Sequence, residues 1–135
     1  MRAKRSTRSK AIAAGYRSGL EEKIALQLAD AGVAYGYENR VVRYTKPASE
    51  HKYTPDFELG NGVVIETKGR FTKSDRDKHL LIKDQHPELD IRFVFSNSKA
   101  KLYKGSKTTY GDWATKHGFQ WADKEIPKEW LTVKT

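Results

Sequence analysis

Cysteine is absent from all 135 residues, which excludes disulfide staples, thiolate nucleophiles, zinc fingers and iron–sulfur ligation together. Stability is left to ordinary packing, as suits a reducing cytoplasm. Long apolar runs are missing as well: hydrophobic side chains make up 37% of the chain but are scattered, and none of the runs approaches the roughly 18 residues that cross a bilayer. No membrane role is expected. The opening MRAKRSTRSK lacks the apolar region and small-residue cleavage site of a secretory signal, so a cytoplasmic location is expected. Acid is absent from the first 20 residues, which hold six basic groups: Arg2, Lys4, Arg5, Arg8, Lys10 and Arg17.

Those six account for most of the formal charge of +9. A basic arm over residues 1–15, short of apolar side chains, cannot bury enough surface to offset its ordering entropy, so it is expected to be flexible until an anionic partner neutralises it. A nucleic acid fits that description, and a solubilising tail is the plainer alternative. A membrane-surface role would need a helix with bulky apolar anchors, which the arm does not offer. The length supports one domain, expected over residues 16–135.

Leu20, Ile24, Leu28 and Ala31 recur at helical spacing after Ser18, and Gly32 stands where a left-handed residue would end the helix, predicting a helix over 19–31. Val33 to Tyr44 is rich in β-branched and aromatic residues and predicts a strand. Pro47 interrupts it, giving an extended connector at about 45–50. Tyr53–Leu59 and Val63–Lys68 read as two strands joined at Gly60-Asn61-Gly62. A second helix is expected from Ser74, as cap, to about His86, then a strand over Asp90–Ser96 with Ile91, Phe93 and Phe95 on one face. A third helix over Thr109–His117 and a short strand at Phe119–Ala122 complete an α/β chain of α+β type with a mixed sheet.

Alternation along a strand places Glu66 and Lys68 on one face and Val63, Ile65 and Thr67 on the other. If the turn pairs Leu59 with Val63, Asp56 stands across from Glu66 with Cβ atoms about 4.5–5.5 Å apart. Two carboxylates so close share a proton or bind a cation, and a hard divalent ion with oxygen ligands, most simply Mg²⁺, fits best. Lys68 can place its ammonium beside an ion-bound water and a phosphate. The competing reading is an Asp–Lys or Glu–Lys pair on a solvated sheet face, worth about 0–1 kcal/mol.

Tyr53-Thr-Pro-Asp56-Phe followed by Glu66-Thr-Lys68-Gly resembles the motif of the PD-(D/E)xK nuclease superfamily. Tyr16-Arg-Ser-Gly-Leu-Glu21-Glu, Asp77-Lys-His-Leu-Leu, His-Pro-Glu-Leu-Asp-Ile-Arg and Lys101-Leu-Tyr-Lys-Gly-Ser extend it. In that order they are similar to the endonuclease I family of T-odd bacteriophages, Holliday-junction resolvases, over about residues 15–131. The resemblance implies a restriction-endonuclease-like core with helices flanking a mixed sheet, and a domain-swapped homodimer acting on four-way and other branched DNA. It further implies Asp56, Glu66 and the Thr67 carbonyl as Mg²⁺ ligands, with Mn²⁺ as a substitute, Lys68 beside the nucleophilic water, and Glu21 completing the site from the partner chain through the 45–50 connector.

From its own surroundings Glu21 is also the last member of a capping box, Ser18-x-x-Glu21. Arg70, Lys73, Arg76, Lys78 and His79 after the hairpin, and Lys99, Lys101, Lys104 and Lys107 after the next strand, are candidates for phosphate contacts; His79 can equally be an idle surface residue. Nothing resembles a base-reading recognition helix, so selectivity for DNA structure is expected over selectivity for sequence. Trp113, Trp121 and Trp130 read as packing residues. Two rival functions stay open: a non-catalytic basic nucleic-acid-binding module, and a related restriction or repair nuclease.

Overall fold

Ser18 holds an extended backbone and its hydroxyl accepts from the Glu21 amide at 3.1 Å, starting helix α1, Gly19–Asp30. Gly32 ends that segment at φ +68°, in the left-handed region that glycine enters without steric cost. The computed structural model describes residues 16–46 and 49–132. The basic arm, with Arg2, Lys4, Arg5, Arg8 and Lys10, lies outside them.

Seven strands follow the helix: β1 Tyr35–Tyr37, β2 Val42–Lys46, β3 Ser49–Tyr53, β4 Phe57–Leu59, β5 Val63–Lys68, β6 Asp90–Phe95 and β7 Gln120–Asp123. Helix α2, Lys73–Gln85, joins β5 to β6, and helix α3, Tyr110–Lys116, precedes β7; a short 3₁₀ turn covers Lys128–Leu131. Five strands form one mixed sheet in the order β1-β4-β5-β6-β7. The β1–β4 and β4–β5 pairs are antiparallel, while β5–β6 and β6–β7 are parallel. Phe57 pairs with Ile65 and Glu58 with Val64, the register that sets Asp56 opposite Glu66.

Parity along β5 divides the core. Val64 points to the face covered by α2, α3 and the β2–β3 pair, where Tyr53, Phe71, Ile82, Phe93, Phe95 and Trp113 pack. Val63 and Ile65 point to the other face, against Ile24 and Leu28 of α1 and Trp130 near the carboxy-terminal end. Glu66 and Lys68 share the parity of Val64, so the chemistry sits on the α2 side, where the sheet ends. None of the helices among the described residues is long and apolar enough to cross a membrane.

Four expectations need correction. The strand read over 33–44 is two strands, because Glu38 turns the chain at φ +48°. The strand read over Tyr53–Leu59 is broken, because Tyr53 closes β3 and β4 spans only Phe57–Leu59, with Pro55 between them; the extended connector read at 45–50 covers the end of β2 and the start of β3, which pair antiparallel with Thr45 against Glu50 and Lys46 against Ser49, and Pro47 itself is outside the described residues. The cap of α2 is Thr72, not Ser74: Thr72 accepts from the Asp75 amide, and Asp75 returns to the Thr72 amide. Arg76 and His79 are not at the surface. Arg76 is buried, donating from Nη1 to the Phe71 carbonyl at 2.7 Å. His79 has no exposed surface and lies among the rings of Tyr53, Phe93 and Phe119.

Candidate active site

Asp56 leaves β3 behind Pro55 and meets the start of β4. Its Oδ2 accepts two hydrogen bonds from Thr67, 2.9 Å from the amide and 2.8 Å from the hydroxyl. These fix one oxygen, and the carboxyl also hydrogen-bonds with the Glu21 side chain. Across the hairpin, Glu66 is buried; its Oε2 accepts from the Tyr53 hydroxyl at 2.7 Å and from the Asp56 amide at 3.5 Å. Lys68 Nζ lies 3.7 Å from Glu66 Oε1 and 3.6 Å from Asp75 Oδ1. The cap of α2 therefore also anchors the lysine, since Asp75 serves both.

Glu21 arrives from α1 and is buried. Its Oε1 accepts from the Arg17 amide at 2.8 Å and from the Tyr37 hydroxyl at 2.9 Å. The capping interaction is thus displaced by one residue, onto Arg17 in place of Ser18, and the same carboxylate faces Asp56. Glu38 completes the group. Its amide donates to the Asp56 carbonyl at 3.2 Å, Oε1 lies 3.1 Å from Arg17 Nε, and Oε2 is buried with no hydrogen-bond partner among the described residues. One carboxylate oxygen from each of Glu21, Glu38 and Asp56 falls within 4.8 Å of the others.

So many acids in one place disturb each other's protons. Burial, and then the neighbouring Glu66 and Glu21, push the Asp56 carboxyl up to about 9. Burial likewise raises Glu66, opposed by the Lys68 ammonium and the Tyr53 hydrogen bond. Carboxylates that are costly to ionise without a counter-charge, beside an oxygen with no donor, form a hard oxygen donor set suited to a divalent cation. Arg17, Glu38, Lys52, Thr54, Asp56, Glu66 and Lys78 line an open pocket of about 530 Å³.

The residues singled out in the sequence separate here. Glu21, Asp56, Glu66, Thr67 and Lys68 come together, with Arg17 and Lys78 at the rim of the pocket. Arg70, Lys73, Lys101 and Lys104 are exposed, Lys73 paired with Asp77 at 2.7 Å. Sequence reasoning missed Glu38, Tyr37, Tyr53 and Asp75. The capping box Thr72-x-x-Asp75 was a readable signal for the last of these; Glu38 had none, because only the turn between β1 and β2 brings it to Asp56.

The family model for phage endonuclease I matches residues 1–135. The chain belongs to the phage endonuclease I family. Endonuclease I of Escherichia phage T7 is 58% identical over 116 residues, covering 86% of this chain and 78% of the relative. Endodeoxyribonuclease 1 of Enterobacteria phage T3 is 58% identical over 112 residues, covering 83% and 74%. Membership makes this chain a phage-type endonuclease.

Proposed function

We propose that the chain is a structure-selective, Mg²⁺-dependent endodeoxyribonuclease that cuts Holliday junctions and other branched DNA as a domain-swapped homodimer. The observation that carries this reading is the convergence of Glu21, Glu38 and Asp56 within 4.8 Å, beside buried Glu66 and its lysine. Solvated surface pairs, which a non-catalytic basic module would use, do not fit side chains as enclosed as Glu66 and Lys68, 6% and 16% exposed. The T3 relative's name supports DNA as the polymer.

Asp56, Glu66 and the Thr67 carbonyl would hold the ion, with Glu21 and Glu38 as further carboxylates. When bound, such an ion neutralises phosphate charge and makes water more acidic. The chain's own groups do the rest. Thr67 and Tyr53 orient the two carboxylates, each by fixing one oxygen. Lys68, held between Glu66 and Asp75, keeps a cation where negative charge builds on the phosphate and where the attacking water must sit. Because these donors are fixed before substrate arrives, little reorganisation is needed at the moment of reaction.

Exposed Arg70, Lys73, Lys101 and Lys104, with the basic arm, would bind phosphates without reading bases. In a swapped dimer the β2–β3 pair would open, and a partner's Glu21 would take the position that Glu21 of the same chain holds here. The experiment is cleavage of a four-way junction and of a linear duplex of the same sequence, each with Mg²⁺ and with EDTA. Cutting of the junction alone, and only with Mg²⁺, is expected. Equal cutting of the duplex would point to a restriction or repair nuclease, and no cutting of either to a binding module.

A further inference from the structure

The segment between β6 and α3, residues 96–109, carries Lys99, Lys101, Lys104 and Lys107 and no acid. All four lysines are exposed, and none is in an ion pair among the described residues. The backbone of this loop is tied down. Lys101 bridges Thr109, the Leu102 amide donates to the Thr108 carbonyl at 3.0 Å, and the Ser106 amide donates to the Tyr103 carbonyl at 3.0 Å. Gly105 at φ +89° makes Tyr103-Lys104-Gly105-Ser106 a turn of type II, which needs glycine at that corner. Buried Ser106 locks its far side through hydrogen bonds with Thr108.

Tyr103 is the first residue of that turn, 65% exposed. Among the described residues it is the only aromatic side chain classed as exposed; the other tyrosines, the tryptophans and the phenylalanines are buried or half-buried. A single exposed ring is ordinary on a protein surface. A ring on a rigid turn, flanked along the chain by lysines without ion pairs among the described residues and in the loop that follows the strand end beside the candidate active site, is less so. That end is shared because β5 and β6 run parallel, and the Ser96 amide donates to the Lys68 carbonyl at 3.0 Å.

We propose that this turn presents Tyr103 as a stacking platform for an unstacked base of branched DNA, with Lys101 and Lys104 on the flanking phosphates. Base faces are hidden in continuous duplex and become accessible where strands part, so an aromatic face among cations favours the interrupted structure. The lysines supply affinity that falls with salt, and the ring supplies affinity that depends on an open base. The inference deepens the reading of a structure-selective endonuclease and rests on it for the branched substrate.

The test compares wild type, Tyr103→Ala, Tyr103→Phe and Lys104→Ala. Binding is measured in EDTA to a four-way junction, to a duplex with a short single-stranded gap, and to intact duplex. Thermal melts check that each variant folds. Tyr103→Ala is expected to weaken binding to junction and gapped DNA by about tenfold and to leave duplex binding unchanged, with Tyr103→Phe like wild type. Lys104→Ala is expected to weaken all three and to flatten the salt dependence. Undiminished junction and gap binding by Tyr103→Ala, or equal loss on all three DNAs, would overturn the inference. If wild type cuts duplex and junction equally, the branched-substrate reading fails, while the gapped DNA still decides whether Tyr103 stacks.

Discussion

Three carboxylates at the site each have one oxygen fixed by hydrogen bonds: Asp56 by the amide and hydroxyl of Thr67, Glu66 by Tyr53 and the Asp56 amide, and Glu21 by Tyr37 and the Arg17 amide. The proton balance of such a cluster is readable in stability. Asp56 is pushed from an ordinary 3.8 up to about 9, chiefly by burial. Between those values the folded state keeps a proton that the unfolded chain has lost, so stability falls as pH rises. This contribution is full below about pH 4 and lost through about pH 9. In EDTA, the melting temperature of wild type should therefore fall between about pH 6 and pH 9, and Asp56→Asn should flatten the fall; identical pH dependence in the two proteins would contradict the assignment. Asp56, Glu66 and Lys68 were legible in the sequence because strand parity and hairpin register are local rules. Glu38 was not, since its place depends on a turn that no spacing announces, and the basic spelling of Arg76 and His79 suggested a surface that packing against Phe71 and Phe93 denies them.

Local rules also explain which elements were readable. Helix α1, β5 and β6 carry strong periodicity, a serine cap or a glycine turn, and they lie where the pattern puts them, while β4 is shorter than the strand read over Tyr53–Leu59. The β2–β3 pair was hidden because Pro47 reads as an interruption, while the partners on either side share no distinctive spacing. The start of α2 differs from the reading, with Thr72 as its cap in place of Ser74. This difference can be measured: Thr72→Ala should cost about 0.5–2 kcal/mol through loss of the cap, whereas Ser74→Ala, on an exposed helix position, should cost within about 0.5 kcal/mol. Denaturant unfolding of both variants checks it. Thr72→Ala should also loosen Lys68, because Asp75 would lose its capping partner.

At the scale of the whole molecule, the mixed sheet gathers the chemistry at the carboxy-terminal end of its central strand, β5. The hairpin brings Asp56 and Glu66, α1 adds Glu21 from the opposite face, and the parallel β6 delivers the lysine-rich loop beside Lys68. A swapped dimer would assemble the same set from two chains. Mixing Glu21→Ala with Lys68→Ala protomers under conditions that exchange chains would then restore one intact site per heterodimer, seen as nicking that neither variant gives alone. Continued inactivity after exchange, verified by mass spectrometry, would argue that each site is built within one chain.

The central claim is that Glu66 and Lys68 serve cleavage more than binding. Single-turnover cutting of a four-way junction by Glu66→Ala and Lys68→Ala in Mg²⁺, with junction affinity measured on the same preparations, tests it most directly. The account predicts cutting reduced by about 10²-fold or more with affinity within about tenfold of wild type. Cutting at the wild-type rate by both variants would contradict it.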